Sequence, residues 1–167
     1  ASDGMGTDET KMARVICSRM KEHVEITDQI YQKKYGMTLE EQVRGENKSM
    51  LGLMTGSLSH FGRFLTYRCM LQPARDAFLI HKAMNGMGCS DYMLVEILST
   101  RTNEELQAAA EVYAADHDGE SMRERIEQET GGFGKKWYGK WMDELVCFER
   151  DEGDEVDDPE GKAQELY

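Results

Sequence analysis

Two glycine-rich turns carry the residues with the clearest chemical potential in this sequence. They read GMGTDE at residues 4–9 and GMGCSD at residues 86–91, and each leads into an acidic helix start. Glycine tolerates positive φ, so successive carbonyls of a Gly-x-Gly turn can point toward one centre. Three carbonyl oxygens and a bidentate carboxylate suit a cation that takes six to eight oxygen ligands, which favours calcium over magnesium. A Gly-x-Gly junction is also a common tight turn, but its duplication favours the metal site.

The carboxylate for each turn must come from elsewhere in the chain, because the acids of the turn itself continue into the helix. The candidate for the first turn is Glu46 in GENKSM, and the matching stretch in the second half is EQETGG. The general offset of 82 residues, which places Gly6 on Gly88, selects Gln128. The helix patterns just before the two acids align at 83 and select Glu129. We favour Glu129, because helix register fixes side-chain direction; Gln128 would leave the second site one charge short.

The elements that must position these turns are short helices, and the same series of helices occurs twice in the chain. Apolar residues recur at helical spacing in both halves, and proline and β-branched residues are scarce. The patterns predict helices over about 8–19, 38–45, 48–60, 76–85, 120–129 and 133–147, with a further helix in each copy around Tyr31 and Tyr113. In copy two, Leu94, Ile97 and Leu98 repeat the helical spacing seen in 8–19. TNEE at 102–105 has the form of a capping box, and Thr7 and Ser90 are candidate caps. The chain is therefore predicted to be all-α, with about five short helices per copy.

The periodic segments and the stretches between them predict five regions. We expect a repeat lacking its first helix over 1–60, a linker over 61–75, a complete repeat over 76–148, an acidic linker over 149–161 and the start of a further helix over 162–167. Trp137, Tyr138 and Trp141 occur at helical spacing and are predicted to lie in the core, although such rings also suit a membrane interface.

Composition excludes several classes of function. The chain has 167 residues and a net charge of −12, which disfavours nucleic-acid binding and direct attraction to an anionic membrane unless a divalent cation lies between them. The four cysteines are far apart and lack zinc-site spacing, which suggests a reducing, cytoplasmic setting. No apolar run is long enough to span a bilayer. No constellation of nucleophile and base indicates a catalytic site, so we expect no enzyme activity.

The sequence resembles the annexin family. DAFLIHKAMNGMGCSDYMLVEILSTRTNEEL (76–106) is similar to the first three helices of an annexin repeat, and GMGTDETKMARVICSR (4–19) is similar to its second helix. The resemblance implies right-handed superhelical repeats of five helices and calcium-dependent binding to anionic phospholipid, peripheral to membranes. It implies calcium held by carbonyls of Ser2, Gly4 and Gly6 with Glu46, and of Met84, Gly86 and Gly88 with Glu129. Minor sites would use Thr7 with Glu9, and Cys89 with Asp91. Arg19 and Arg101 match a buried structural arginine of the family.

Some features depart from the family pattern. Cys89 replaces the usual threonine, and annexins normally carry four or more repeats where this chain has two. We therefore expect a piece of a longer annexin, cut within the first helix of a repeat at both ends. Residues 162–167 could fill the first-helix place of copy one, in the same or a neighbouring chain. The alternative function is an annexin-fold cytoskeletal or scaffold protein with weak or no calcium dependence.

Overall fold

The computed structural model of this chain describes residues 9–46, 60–86, 88–131, 136–153 and 159–165. The chain divides into two compact units, residues 1–75 and 76–167. Across the described ranges all regular structure is helical, which confirms the all-α class. No helix in those ranges is long and apolar enough to cross a membrane.

The first unit contains four described helices around a small apolar core. They are α1 (Glu9–Cys17), α2 (Lys21–Tyr35), α3 (Leu39–Glu46) and α4 (His60–Cys69). The buried apolar residues come from all four helices: Met12, Ile16, Val24, Leu39, Val43, Leu65 and Cys69. Tyr31 and Phe61 pack against this core. Helix α2 ends where Gly36 adopts φ +74° and donates its N–H to the carbonyl of Gln32, a common glycine stop.

The second unit shows the complete order of five helices that the sequence predicts, followed by one more. They are α5 (Gln72–Met84), which begins just before the unit boundary, α6 (Asp91–Thr100), α7 (Asn103–Asp116), α8 (Met122–Thr130), α9 (Lys136–Val146) and α10 (Pro159–Glu165). The core draws on α5 to α9: Ala77, Ile80, Ala83, Met84, Leu94, Ile97, Leu98, Leu106, Tyr113, Met122, Ile126, Met142, Leu145 and Val146.

The buried positions of the two units follow the internal repeat of the sequence. The offset of 82 residues pairs buried positions of α1 and α2 with buried positions of α6 and α7: Met12 with Leu94, Ile16 with Leu98, and Val24 with Leu106. In α3 and α8 the offset is 83 and pairs Leu39 with Met122, and Val43 with Ile126. An offset of 82 would instead place Val43 on Arg125, which is only partly buried. The connection before α8 is therefore one residue longer.

The last helix of the first copy differs from the sequence prediction. A helix was expected over about 48–60 and a linker over 61–75, but α4 covers His60–Cys69, and residues 47–59 lie outside the described ranges. FGRFL in α4 matches YGKWM in α9 at an offset of 77, so Leu65 and Met142 are equivalent, and both are fully buried. Between the equivalent buried positions of these helices, the first copy thus has six more residues than the second (83 minus 77). The linker expected over 61–75 is therefore wrong for residues 61–69, which are helical, whereas the helix expected over about 48–60 stays a prediction for the residues outside the described ranges.

The two arginines expected to be buried have different environments. Arg101 follows α6 and binds the fully buried carboxylate of Asp76 in α5 through Nε at 2.5 Å and Nη2 at 3.2 Å. This pair raises the pKa of the Arg101 guanidinium. Arg19, its equivalent in the first unit, is exposed, and its guanidinium donates to the carbonyl of Val15 at 2.8 Å. The expectation of a buried arginine therefore fails for Arg19 and holds only in part for Arg101, which is half-buried.

Candidate calcium site

The second glycine turn adopts a backbone conformation that glycine favours. α5 ends at the buried Met84, Gly86 has φ +148° and Gly88 has φ +98°. The turn is closed by the N–H of Ser90, which donates to the carbonyl of Ala83 at 2.7 Å. A Cβ atom added at either glycine would meet no atom within 4 Å, so this conformation, and not a lack of space, calls for glycine.

The residues after this turn are anchored to α9. Asp91 is the first residue of α6, and its carbonyl accepts a hydrogen bond from the Tyr138 hydroxyl at 3.3 Å. Burial first, and then the nearby charge of Asp91, raise the pKa of Tyr138. Cys89, half-buried, packs against the apolar core of the unit. The turn is therefore held from both sides, by α5 before it and by α9 after it.

The two candidate acids of the second copy differ in their surroundings. Glu129 lies in the last turn of α8, with 28% of its side chain exposed, and its Oε1 is 2.8 Å from Nη2 of Arg125. Gln128, beside it, is exposed. Because α3 and α8 match at an offset of 83, Glu129 occupies the helical position that Glu46 has in α3. The side chain of Glu46 lies outside the described part of the structure.

The first glycine turn remains a prediction. Ser2, Gly4, Gly6 and Thr7 lie outside the described residues, and Glu9 begins α1 with a side chain that is also outside them. Within the described ranges no three His, Cys, Asp or Glu side chains come together as a metal cluster. A site built from carbonyls and one carboxylate needs no such cluster.

Sequence reasoning missed a cluster of aromatic and titratable side chains one turn before Met84. The rings of His81 in α5 and His117 after α7 stack with centroids 4.1 Å apart. Tyr113 is fully buried beside them and donates its hydroxyl to Glu120 at 3.1 Å. Burial, followed by the His117 ring, lowers the pKa of His81. The spacing of four residues between Tyr113 and His117 was the only sequence signal, and it did not identify His81 as their partner.

The tryptophans also differ from expectation. Trp137 is 89% exposed and Trp141 is 47% exposed, whereas both were predicted to lie in the core. Of the three aromatic residues of α9, Tyr138 is the one that packs against the core cluster. Helical spacing identified a common face but could not show that neighbouring helices leave this face uncovered.

Comparison with known proteins identifies the family. The annexin family model matches residues 1–51 and 75–138. The chain is 34% identical over 157 residues to annexin A13 of Mus musculus, covering 94% of this chain and 45% of that protein. Its fold is similar to annexin III, with a TM-score of 0.80, 27% identity and coverage of 100% of this chain and 48% of that one. A calcium-bound annexin (Sm)1 has a similar fold, with a TM-score of 0.74, 24% identity and coverage of 97% and 43%. The chain spans about half the length of these relatives, and it belongs to the annexin family.

Proposed function

We propose that this chain binds anionic phospholipid membranes in a calcium-dependent manner, without catalysis, through type II calcium sites at its glycine turns. The observation that carries the proposal is the turn after α5, where Gly86 and Gly88 both have positive φ and face open space. Calcium-dependent phospholipid binding is general in the annexin family, and annexin (Sm)1, a protein of similar fold, is calcium-bound.

The residues present fit calcium. The carbonyls of Met84, Gly86 and Gly88 would supply three neutral oxygens, and the carboxylate of Glu129 would supply the charged ligand. The ion pair between Glu129 and Arg125 is partly exposed, with 28% and 34% of the side chains accessible. Such a surface pair contributes at most about 1 kcal/mol to the stability of the fold, so a divalent ion can displace the arginine. The minor site would take the Cys89 carbonyl and the Asp91 carboxylate.

The first copy would hold calcium in the same way, through Ser2, Gly4, Gly6 and Glu46, with Thr7 and Glu9 at the minor position. These assignments are supported by the repeat, in which the buried residues of α3 and α8 match at an offset of 83. Calcium also explains how a chain of net charge −12 can approach an anionic surface. The bound cations offset repulsion between like charges, and lipid phosphate or carboxylate oxygens complete the coordination shell.

Sedimentation with phosphatidylserine vesicles tests the proposal. The wild-type chain should pellet in calcium and stay in the supernatant in EGTA. Glu129→Gln should raise the calcium concentration for half-maximal pelleting by on the order of tenfold, because affinity follows ligand charge. Glu46→Gln together with Glu129→Gln should abolish calcium-dependent pelleting.

Gln128→Ala is the matched control, since it lies next to Glu129 on the same helix and should leave the calcium requirement unchanged. A large effect of Gln128→Ala with none of Glu129→Gln would reverse the ligand assignment. Pelleting that ignores calcium would favour the scaffold alternative. Cytoskeletal binding and helix exchange by residues 162–167 stay predictions; the structure has a helix, α10, over Pro159–Glu165.

A further inference from the structure

Two strongly exposed aromatic side chains flank the second glycine turn. Trp137 is 89% exposed at the start of α9, and Tyr92 is 82% exposed at the start of α6. Each is the neighbour in sequence of one partner in the hydrogen bond from the Tyr138 hydroxyl to the Asp91 carbonyl, 3.3 Å long. The hydrogen bond therefore brings the starts of both helices together beside the turn.

The face of α9 that begins at Trp137 has an amphipathic and basic character. Lys140 and Trp141 follow Trp137 at spacings of three and four residues, which places all three on one side of the helix. Lys140 is exposed and Trp141 is 47% exposed. Glu144, one turn further on, is exposed, while the neighbouring Asp143 is paired with Arg123 at 2.7 Å. On this face of α9, positive charge thus lies nearer the start of the helix and negative charge farther along it.

Indole and phenol rings are large apolar groups with one polar atom, so they are favoured at the headgroup level of a membrane, where one end is dry and the other wet. Because Trp137 and Tyr92 are so exposed in water, burial of their rings contributes almost nothing to the stability of the fold. A lysine on the same face can bind lipid phosphates. Because the chain carries a net charge of −12, this face alone is too weakly basic to hold an anionic bilayer without calcium.

We propose that Trp137 and Tyr92 enter the headgroup region of an anionic phospholipid bilayer when calcium docks the adjacent turn, with Lys140 contacting lipid phosphate. This inference rests on the proposed function and adds a direct lipid contact from α9. Trp141 lies about 6 Å farther along α9, since a helix rises 1.5 Å per residue. With the start of α9 facing the bilayer, as this proposal requires, Trp141 lies farther from the bilayer than Trp137.

Tryptophan fluorescence tests the depth of each ring, because the chain has two tryptophans. Trp141→Phe leaves Trp137 as the only reporter, and Trp137→Phe leaves Trp141. Both variants are mixed with phosphatidylserine–phosphatidylcholine vesicles in calcium and in EGTA, with and without brominated phosphatidylcholine. The emission of Trp137 should shift to shorter wavelength and be quenched by brominated lipid in calcium but not in EGTA. The emission of Trp141 should be quenched less.

Pelleting of the same samples separates the two proposals. Calcium-dependent pelleting with Trp137 emission unshifted and unquenched would overturn the lipid contact and leave the calcium-dependent docking intact. Absence of calcium-dependent pelleting would overturn both. Equal quenching of Trp137 and Trp141 would overturn the assigned orientation of α9.

An affinity measurement gives the second test. Trp137→Ala with Tyr92→Ala should weaken vesicle binding by on the order of tenfold at saturating calcium, because two rings lose their interfacial contact. Calcium binding without lipid should be unchanged. Tyr35→Ala is the control, since Tyr35 is also exposed, at 54%, but lies at the end of α2 in the first unit and is not among the residues proposed to contact lipid. An equal loss in both variants would contradict the proposal.

Discussion

At the scale of the residue, the equivalent arginines of the two copies have different roles because their hydrogen-bond partners differ. Arg101 binds the fully buried Asp76 of α5, and the pair joins two residues that are 25 positions apart in sequence. Arg19, at the equivalent position, is exposed and donates a hydrogen bond to a carbonyl of α1, the helix just before it. Fully buried carboxylates are stabilised only when charged or polar groups satisfy their oxygens. The sequence indicated an arginine at both places and could not show which one has a buried acid beside it.

Replacing Arg101 by methionine should destabilise the chain by about 2–4 kcal/mol, because it removes both guanidinium hydrogen bonds from the buried Asp76 carboxylate. Arg19→Met, the same change at the exposed equivalent, should cost less than about 1 kcal/mol. Urea unfolding followed by far-ultraviolet circular dichroism measures both. Equal costs would show that the Asp76 pair does not stabilise the fold.

His81 should make the chain less stable in mild acid. Burial and the stacked His117 lower the pKa of His81 below its ordinary value of 6.5, with Arg125 acting in the same sense and Glu120 in the opposite one. The unfolded chain therefore takes up this proton at a higher pH than the folded chain does. The free energy of unfolding should fall as the pH drops below about 6.5.

The measurement compares unfolding of the wild type and His81→Gln at pH 7.5 and pH 5.5. The wild type should lose more stability than the variant over this interval. His23→Gln, at an exposed histidine of α2, should behave as the wild type does. If His81→Gln kept the pH dependence of the wild type, His81 would not be the cause of the loss of stability in mild acid.

At the scale of the element, helix ends decide how the glycine turn is held. The capping box predicted at 102–105 is confirmed: Thr102 accepts the N–H of Glu105 at 3.2 Å, and Glu105 accepts the N–H of Thr102 at 3.1 Å. Ser90, expected to cap α6, makes no side-chain capping bond. Its backbone instead closes the glycine turn through Ala83. The start of α6 is therefore fixed by the turn and by α9.

Replacing Thr102 by alanine should destabilise the second unit by about 1 kcal/mol, the usual cost of an N-cap with both bonds made. Ser90→Ala should change stability by no more than a few tenths of a kcal/mol, because no capping bond is lost. Thermal unfolding without calcium, followed by tryptophan fluorescence, reports on this unit. A larger loss for Ser90→Ala than for Thr102→Ala would contradict the assigned caps.

At the scale of the whole molecule, the described residues form two apolar cores with no residue in common. One draws on α1 to α4 and the other on α5 to α9. Both tryptophans belong to the second unit, so their fluorescence reports on that unit, while circular dichroism reports on every helix. The two signals can therefore distinguish the loss of one core from the loss of the other.

Val43→Ala, at a fully buried position of the first core, should cost about 2–4 kcal/mol there through lost contacts and the cavity left behind. We expect the circular dichroism transition to shift to lower urea, while the tryptophan transition keeps its midpoint. Ile126→Ala, at the equivalent position of the second unit, should shift the tryptophan transition. Parallel shifts of both signals in Val43→Ala would show that the two units unfold together.

The sequence by itself determined the helical class, the duplicated unit, the capping box at Thr102 and the offset of 83 that aligns Glu129 with Glu46. These follow from local rules of periodicity, capping and glycine conformation, which need no knowledge of distant neighbours. The tertiary structure alone decided the position of α4, the partner of Arg101, the stacking of His81 on His117 and the exposure of Trp137. Each of these depends on connection length or on which face a neighbouring helix covers, and helical periodicity defines a face without defining its neighbour.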